Sequence, residues 1–361
     1  MFDTQSFAAA AAESPPAAVG SGRARIVAVD VARALALIGM IVSHLMPPEG
    51  AWGRVFLGFP SALFAVLSGV SLAIMADRGN RSGGDELAGI RHSLMVRGVL
   101  LILLQQLLAP VSGTIFVVLQ TIGICYIALA VAPRWRTRTL VVLAVWLVAA
   151  SAVIHAVASF TALPVFLTPP YPVTVWAALT VAGILAYRHL LGSPKAQVWT
   201  LVVGAAVAVA GAAMRNGAID YEATRAARDR NGLIGVALVD PTPHSGGLLD
   251  TVTVAAGALA ALALCLLVWR GPVRWTRPLQ VMGSMSLTVY VAHIVSAGPF
   301  STPSAPTSLP VLGWTTIAVS LAGSTLLSLW FRQGPCEWAM ARCCKIAADR
   351  TLPPRPELAR G

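Results

Sequence analysis

Three ionisable side chains, Asp30, Arg33 and His44, interrupt the mostly apolar run from Arg25 to Pro48. A helix turns by about 100° per residue, so Asp30, Arg33, Leu37, Met40 and His44 fall on one stripe. Eleven residues separate Arg33 from His44, which is roughly 16 Å along a helix axis. An arginine offers fixed positive charge to an anion, and an imidazole titrates near neutral pH and can take or give a proton. Charged groups at membrane depth cost a few kcal/mol each, so this stripe is expected to line a site or pathway rather than face lipid.

A second polar stripe lies in Gly283 to Ile294, where Ser286, Tyr290 and His293 recur at helical spacing. Gly283 and Ser284 are small enough to let another helix approach closely. A third segment, Phe59 to Ile74, carries Ser61, Ser68, Gly69 and Ser71; for Ser68 and Gly69, helix packing is the simpler explanation. Gln105, Gln106 and Gln120 need partners inside apolar runs, and hydrogen bonds among themselves would satisfy them. Arg97 is placed at the start of the third span, where contact with a phosphate and snorkelling to the interface explain it equally.

The elements that must hold these residues are apolar helices. The chain has 361 residues, 57% of them hydrophobic and only 11% charged, against about a quarter charged in soluble domains. Besides the first run, apolar stretches cover approximately 55–76, 93–110, 115–132, 139–159, 172–190, 197–214, 250–269, 279–298 and 310–331. Each approaches the 17–25 residues needed to cross the hydrocarbon core. The expected fold is therefore an all-α polytopic bundle of about ten transmembrane helices. No internal repeat and no broken mid-span helix is apparent. The expected organisation is a disordered tail over 1–24, a transmembrane domain over 25–345 and a C-terminal tail over 346–361.

The net charge of +11 does not point to nucleic acid, because the basic residues sit in short connections between apolar runs. Arg78, Arg81, Arg91, Arg134, Arg136, Arg138, Arg188, Lys195, Arg270, Arg274 and Arg277 all fall on one side. With that side cytoplasmic, both termini are inside and the chain is a multi-pass protein of the cytoplasmic membrane. The exception is the outer connection 215–249, which holds charges of both signs; it reads either as a binding loop or as a solvated amphipathic helix over 219–230. This topology gathers His44, His155, His244 and His293 in the outer half, with Asp250 beside His244. His92 and His189 sit at the inner edge. The five cysteines have neither disulfide-framework nor metal-ligand spacing, and no metal is expected.

The first span, Asp30-x-x-Arg33-Ala34-x-Ala36-x-x-Gly39-Met40 followed by His44, resembles the opening helix of heparan-α-glucosaminide N-acetyltransferase-like membrane proteins. It is also similar to bacterial membrane acyltransferases that O-acetylate surface glycans. Leu63 to Leu72 resembles their next helix, Gly283 to Ile294 a late helix, and Arg332 to Trp338 the end of a bacterial branch. Ala34 stands where glycine is usual, and the connection after His44 is short. The resemblance implies acyl transfer across the membrane, from cytosolic acyl-CoA, expected to be acetyl-CoA, to a hydroxyl or amine of an extracytoplasmic glycan or glycolipid. It implies that Arg33, fixed by Asp30 and aided by Arg97, holds the anionic donor. His44 then acts as general base or carries the acyl group, and Tyr290 and His293 stabilise the oxyanion or orient the acceptor. The competing class is a proton-coupled small-molecule transporter, for which polar stripes and clustered histidines are also suitable.

Overall fold

The computed structural model describes residues 26–50, 53, 56–80, 84–215, 230–271, 274–301 and 308–349. Among these it holds thirteen α-helices and no strand. They are α1 (Val27–Leu45), α2 (Phe59–Asn80), α3 (Gly84–Leu108), α4 (Leu119–Ala128), α5 (Thr137–Ala158), α6 (Val173–His189), α7 (Pro194–Ala213), α8 (Arg230–Leu238), α9 (Leu248–Val268), α10 (Arg277–Ser284), α11 (Ser286–Ala297), α12 (Pro310–Trp330) and α13 (Pro335–Asp349). The expected tail 1–24 and the segment 219–229 lie outside the described residues.

All ten apolar runs contain helix, but not all reach spanning length. Seven helices (α1, α2, α3, α5, α7, α9 and α12) are long and apolar enough to cross a membrane. The ninth run corrects the expectation of unbroken spans. It is two helices, α10 and α11, bent by 73° at Met285. The break is chemically compensated: the Glu337 carboxylate accepts the Leu287 amide at 2.5 Å, the Thr288 amide at 3.2 Å and the Thr288 hydroxyl at 2.5 Å. It thereby satisfies amides that the first turn of α11 leaves without helical partners. The fourth run is also shorter than its hydropathy implied. α4 has only 10 residues, about 15 Å of helix, because Pro110 and Pro133 set one-turn 3-10 segments on either side of it.

α1 is the central helix and packs against α2, α9, α10, α11 and α12. Its most apolar stretch is 61% buried within the protein, whereas those of α3, α7 and α12 are 22% buried. The peripheral helices instead turn Leu103, Leu107, Trp146, Val202, Trp314 and Leu329 outward. An apolar exterior on helices whose backbone groups are hydrogen-bonded internally is what lipid requires. α2 and α6 meet backbone to backbone: at Gly69 a Cβ would strike the Thr180 carbonyl, and at Gly183 the Val66 carbonyl. Gly69 is thus a packing residue, as its small size suggested.

Candidate active site

The α1 stripe forms as expected but serves two separate places. At its N-terminal end, Arg33 donates from Nη1 to Asp30 Oδ1 at 2.8 Å and from Nη2 to Ser71 Oγ at 2.8 Å. A buried carboxylate and a hydroxyl on the neighbouring helix therefore fix the guanidinium. Both Asp30 and Arg33 line a cavity of about 1270 Å³ at the end of the bundle that carries the basic connections. Arg97, Arg277, Arg332 and Lys345 also line it, so five cations face two carboxylates, Asp30 and Glu337. One of those carboxylates is paired with Arg33 and the other caps α11. The surplus charge is positive, and such a concavity attracts anions.

Arg97 does not start a helix. It lies well inside α3, which begins at Gly84. It reaches the cavity over the ring of Tyr126, 5.9 Å from the centroid, which holds it inward rather than snorkelling outward. Ser68, Ser71, Ser284 and Ser286 add hydroxyls to the wall. Ser68 thus has a place in the site as well as in packing. The glutamines do satisfy each other: Gln105 Oε1 accepts the Gln120 amide at 2.7 Å, and Gln106 Nε2 donates to Gln120 Oε1 at 3.1 Å.

At the other end of α1, His44 stacks on His293, with ring centroids 5.6 Å apart and planes 21° from parallel. His44 is half-buried. His293 is 2% exposed, and neither of its ring nitrogens has a protein partner. A buried polar group without a partner costs on the order of 1–3 kcal/mol, so the pair is poised to receive a ligand's polar atom. Tyr290 is on the same face of α11, one turn from His293. Its hydroxyl accepts the Val118 amide at 3.1 Å, and its ring stacks on Phe64 at 6.1 Å.

The cavity and the histidine pair are not one continuous space. Phe64 and Leu119 line the cavity, but Tyr290, His44 and His293 do not. Leu37 and Met40, between Arg33 and His44 on the stripe, are buried core residues. Sequence spacing gave the two stations but not the packed layer between them.

The outer connection is tied into the bundle. His155 is buried, and its Nε2 lies 2.9 Å from Asp240 Oδ2. Arg215 and Asp250 form a buried ion pair at 2.5 Å, with side chains 1% and 3% exposed. Arg215 also donates to the Pro241 carbonyl at 2.8 Å and the Leu57 carbonyl at 3.1 Å. Burial would push the Asp240 carboxyl up, but hydrogen bonds from His155 and Thr242 outweigh it and hold the group below the usual carboxylate range. The charge pattern of 215–249 signalled importance. It could not show that Arg215, Asp240 and Asp250 are core groups.

With this geometry in place, comparison with known families gives the class. The model of the acyltransferase domain matches residues 26–333, and the chain belongs to this family of membrane acyltransferases. The match covers α1 through α12, with Arg33, His44 and His293 inside it and the cavity residues Glu337 and Lys345 beyond it. No curated protein matches the chain.

Proposed function

We propose that the protein takes an acetyl group from cytosolic acetyl-CoA and transfers it to a hydroxyl or amine of an extracytoplasmic glycan or glycolipid. The observation that carries this reading is the pairing of a wide cation-rich cavity with a histidine pair farther along the same helix. CoA carries its charge on phosphates at one end and its thioester at the end of a long neutral arm. Arg33, Arg97, Arg277, Arg332 and Lys345 suit the phosphates, and the apolar walls at Phe64, Leu101 and Leu119 suit the arm. The likeness of the first span to the glucosaminide N-acetyltransferases supports a sugar-bearing acceptor. The basic connections support placing the cavity on the cytoplasmic side of the plasma membrane.

His44 acts as general base. It accepts the acceptor's O–H or N–H proton while the heteroatom attacks the thioester carbon. The carbonyl oxygen becomes an oxyanion, which Tyr290 O–H or an N–H of His293 stabilises. The C–S bond then breaks, and the CoA sulfur leaves with the proton that His44 took. His293, stacked behind His44, fixes the plane of the base. For the arm to reach His44, the Phe64–Tyr290 layer must part.

A carrier also uses broken spans, and the bend at Met285 suits that alternative. A covalent product separates the two, because only a transferase yields free CoA and an acetylated acceptor. The direct test is thermal stability of the purified protein with acetyl-CoA, CoA and desulfo-CoA. A ligand that binds the folded state alone raises Tm by mass action. Concentration-dependent stabilisation by all three, weakened in Arg97→Ala, is expected. No stabilisation by any of them sinks the donor assignment.

A further inference from the structure

The connection between α8 and α9 is built too firmly for a simple linker. Asp240, Ser245 and Asp250 are each less than 7% exposed. The segment is tied to α5 by His155–Asp240 and by the Ser151 hydroxyl, which donates to the Gly246 carbonyl at 2.8 Å. Arg215, just past α7, ties it through Asp250 and the Pro241 carbonyl. The Asp250 carboxylate also accepts the backbone amides of His244 and Gly246. All these anchors converge on one turn whose centre is His244.

His244 has a φ of 65°, a left-handed conformation uncommon for a residue with a Cβ. Such strain persists only where surrounding structure imposes it, and it concentrates at functional sites. Gly246, two residues on, has a φ of 84°. The chain thus uses glycine where only the turn matters, yet keeps an imidazole at 244. Tyr171 holds that imidazole edge-on, with ring centroids 5.5 Å apart. His244 stays half-buried and walls a cleft of about 20 Å³ together with Ser61, Trp176 and Asp250. A cleft of that size admits one water or one hydroxyl.

Burial first, then the charges of Arg215 and His44, lower the basicity of His244 to about 4, while a hydrogen bond to the Pro170 carbonyl opposes them. The ring is neutral at physiological pH. With its N–H directed to Pro170, the other nitrogen is an acceptor.

We propose that His244 is an acceptor-binding residue, which receives a hydroxyl of the incoming acceptor in the cleft it walls with Ser61, Trp176 and Asp250. This rests on the acyl-transfer reading above. Asp240, His155, Arg215 and Asp250 are positioning residues that hold the turn. The ligand class is a polyhydroxylated acceptor, since one hydroxyl is needed at His244 while another meets the base.

The test uses His244→Gly, which removes the ring and fits the left-handed backbone without strain, so folding is preserved. The acceptor probe is the solubilised cell envelope of a strain lacking the gene, supplied in increasing amounts with [14C]acetyl-CoA. Purified wild-type protein is expected to label it. His244→Gly should need at least tenfold more envelope for half-maximal labelling, while its thermal stabilisation by CoA matches wild type. An unchanged envelope requirement overturns the role of His244 alone. Equal loss of CoA stabilisation overturns it too, since the residue would then act on fold or donor. Absence of both labelling and CoA stabilisation in the wild type removes the transfer reading and this inference together.

Discussion

The two ends of α1 solve opposite electrostatic problems. At the Arg33 end, a cavity of about 1270 Å³ is walled by five cations and only two carboxylates. Its excess positive charge is tolerable because the space is wide enough for water when no anion is bound. At the His44 end, the charged side chains that the structure describes around the outer connection pair off: Arg215 with Asp250, and Asp240 with His155. Several buried polar atoms there have no protein partner, His155 Nδ1 and Thr251 Oγ1 among them, but among the described residues only His293 leaves both ring nitrogens unpaired. A large anionic ligand suits the first region, and a neutral polar group suits the second. On the proposed function, this contrast assigns donor recognition to the first region and chemistry to the second, a division expected when two substrates enter from opposite sides of a membrane.

Removing the proposed base should sharpen this contrast most. His44→Ala is expected to lose 10²–10⁴-fold in transfer rate, the usual worth of a general base, with CoA-dependent stabilisation intact. Loss of both together in a folded protein would merge the two regions into one. The next largest effect concerns stability. Arg215→Leu strands the Asp250 carboxylate in the core and should cost about 3–5 kcal/mol, while Arg215→Leu with Asp250→Leu should recover most of it; chemical denaturation in detergent measures both. A double variant as unstable as the single one would show that Arg215 matters through its carbonyl contacts instead.

Smaller effects belong to the donor side. Arg97→Ala leaves no carboxylate stranded, since Arg97 rests on Tyr126. It should weaken CoA binding by roughly tenfold, the scale of one charge-assisted hydrogen bond, and flatten its salt dependence. The smallest effect is a pH difference at the far end. The basicity of His244 is lowered to about 4 in the folded protein, below the unfolded value of about 6.5. The unfolded chain therefore binds more protons between those values, and this group's contribution to stability is full above pH 6.5 and lost as pH falls towards 4. His244→Gly should thus gain Tm over wild type by more at pH 5 than at pH 7.5. An equal gain at both would remove the titration of His244 from the balance.

Much of this was legible in the residues. Period and hydropathy located the ten apolar helical runs but neither α8 nor α13, and the spacing of Asp30, Arg33 and His44 placed both ends of the α1 stripe because a single helix fixes it. The Asp30–Arg33 contact followed from the cost of an unpaired charge. What depended on contacts between distant segments was hidden. Nothing local marks Glu337 as the cap of α11 about fifty positions earlier in the chain. Hydropathy cannot reveal the bend at Met285, since α10 and α11 together read as one apolar run. The burial of His155 could not be read locally, because its partner, Asp240, comes from another part of the chain. The layer of Leu37, Met40, Phe64 and Tyr290 likewise needs two further helices to close it.

The central claim is directional: the donor enters at the Arg33 end and the acceptor meets the His44 end. Proteoliposomes with the protein in one known orientation test it most directly, with [14C]acetyl-CoA on one side and envelope acceptor on the other. The account predicts labelled acceptor only when acetyl-CoA faces the basic connections and acceptor faces the histidines. Labelling with the two sides exchanged, or only when both reactants share a side, would contradict it.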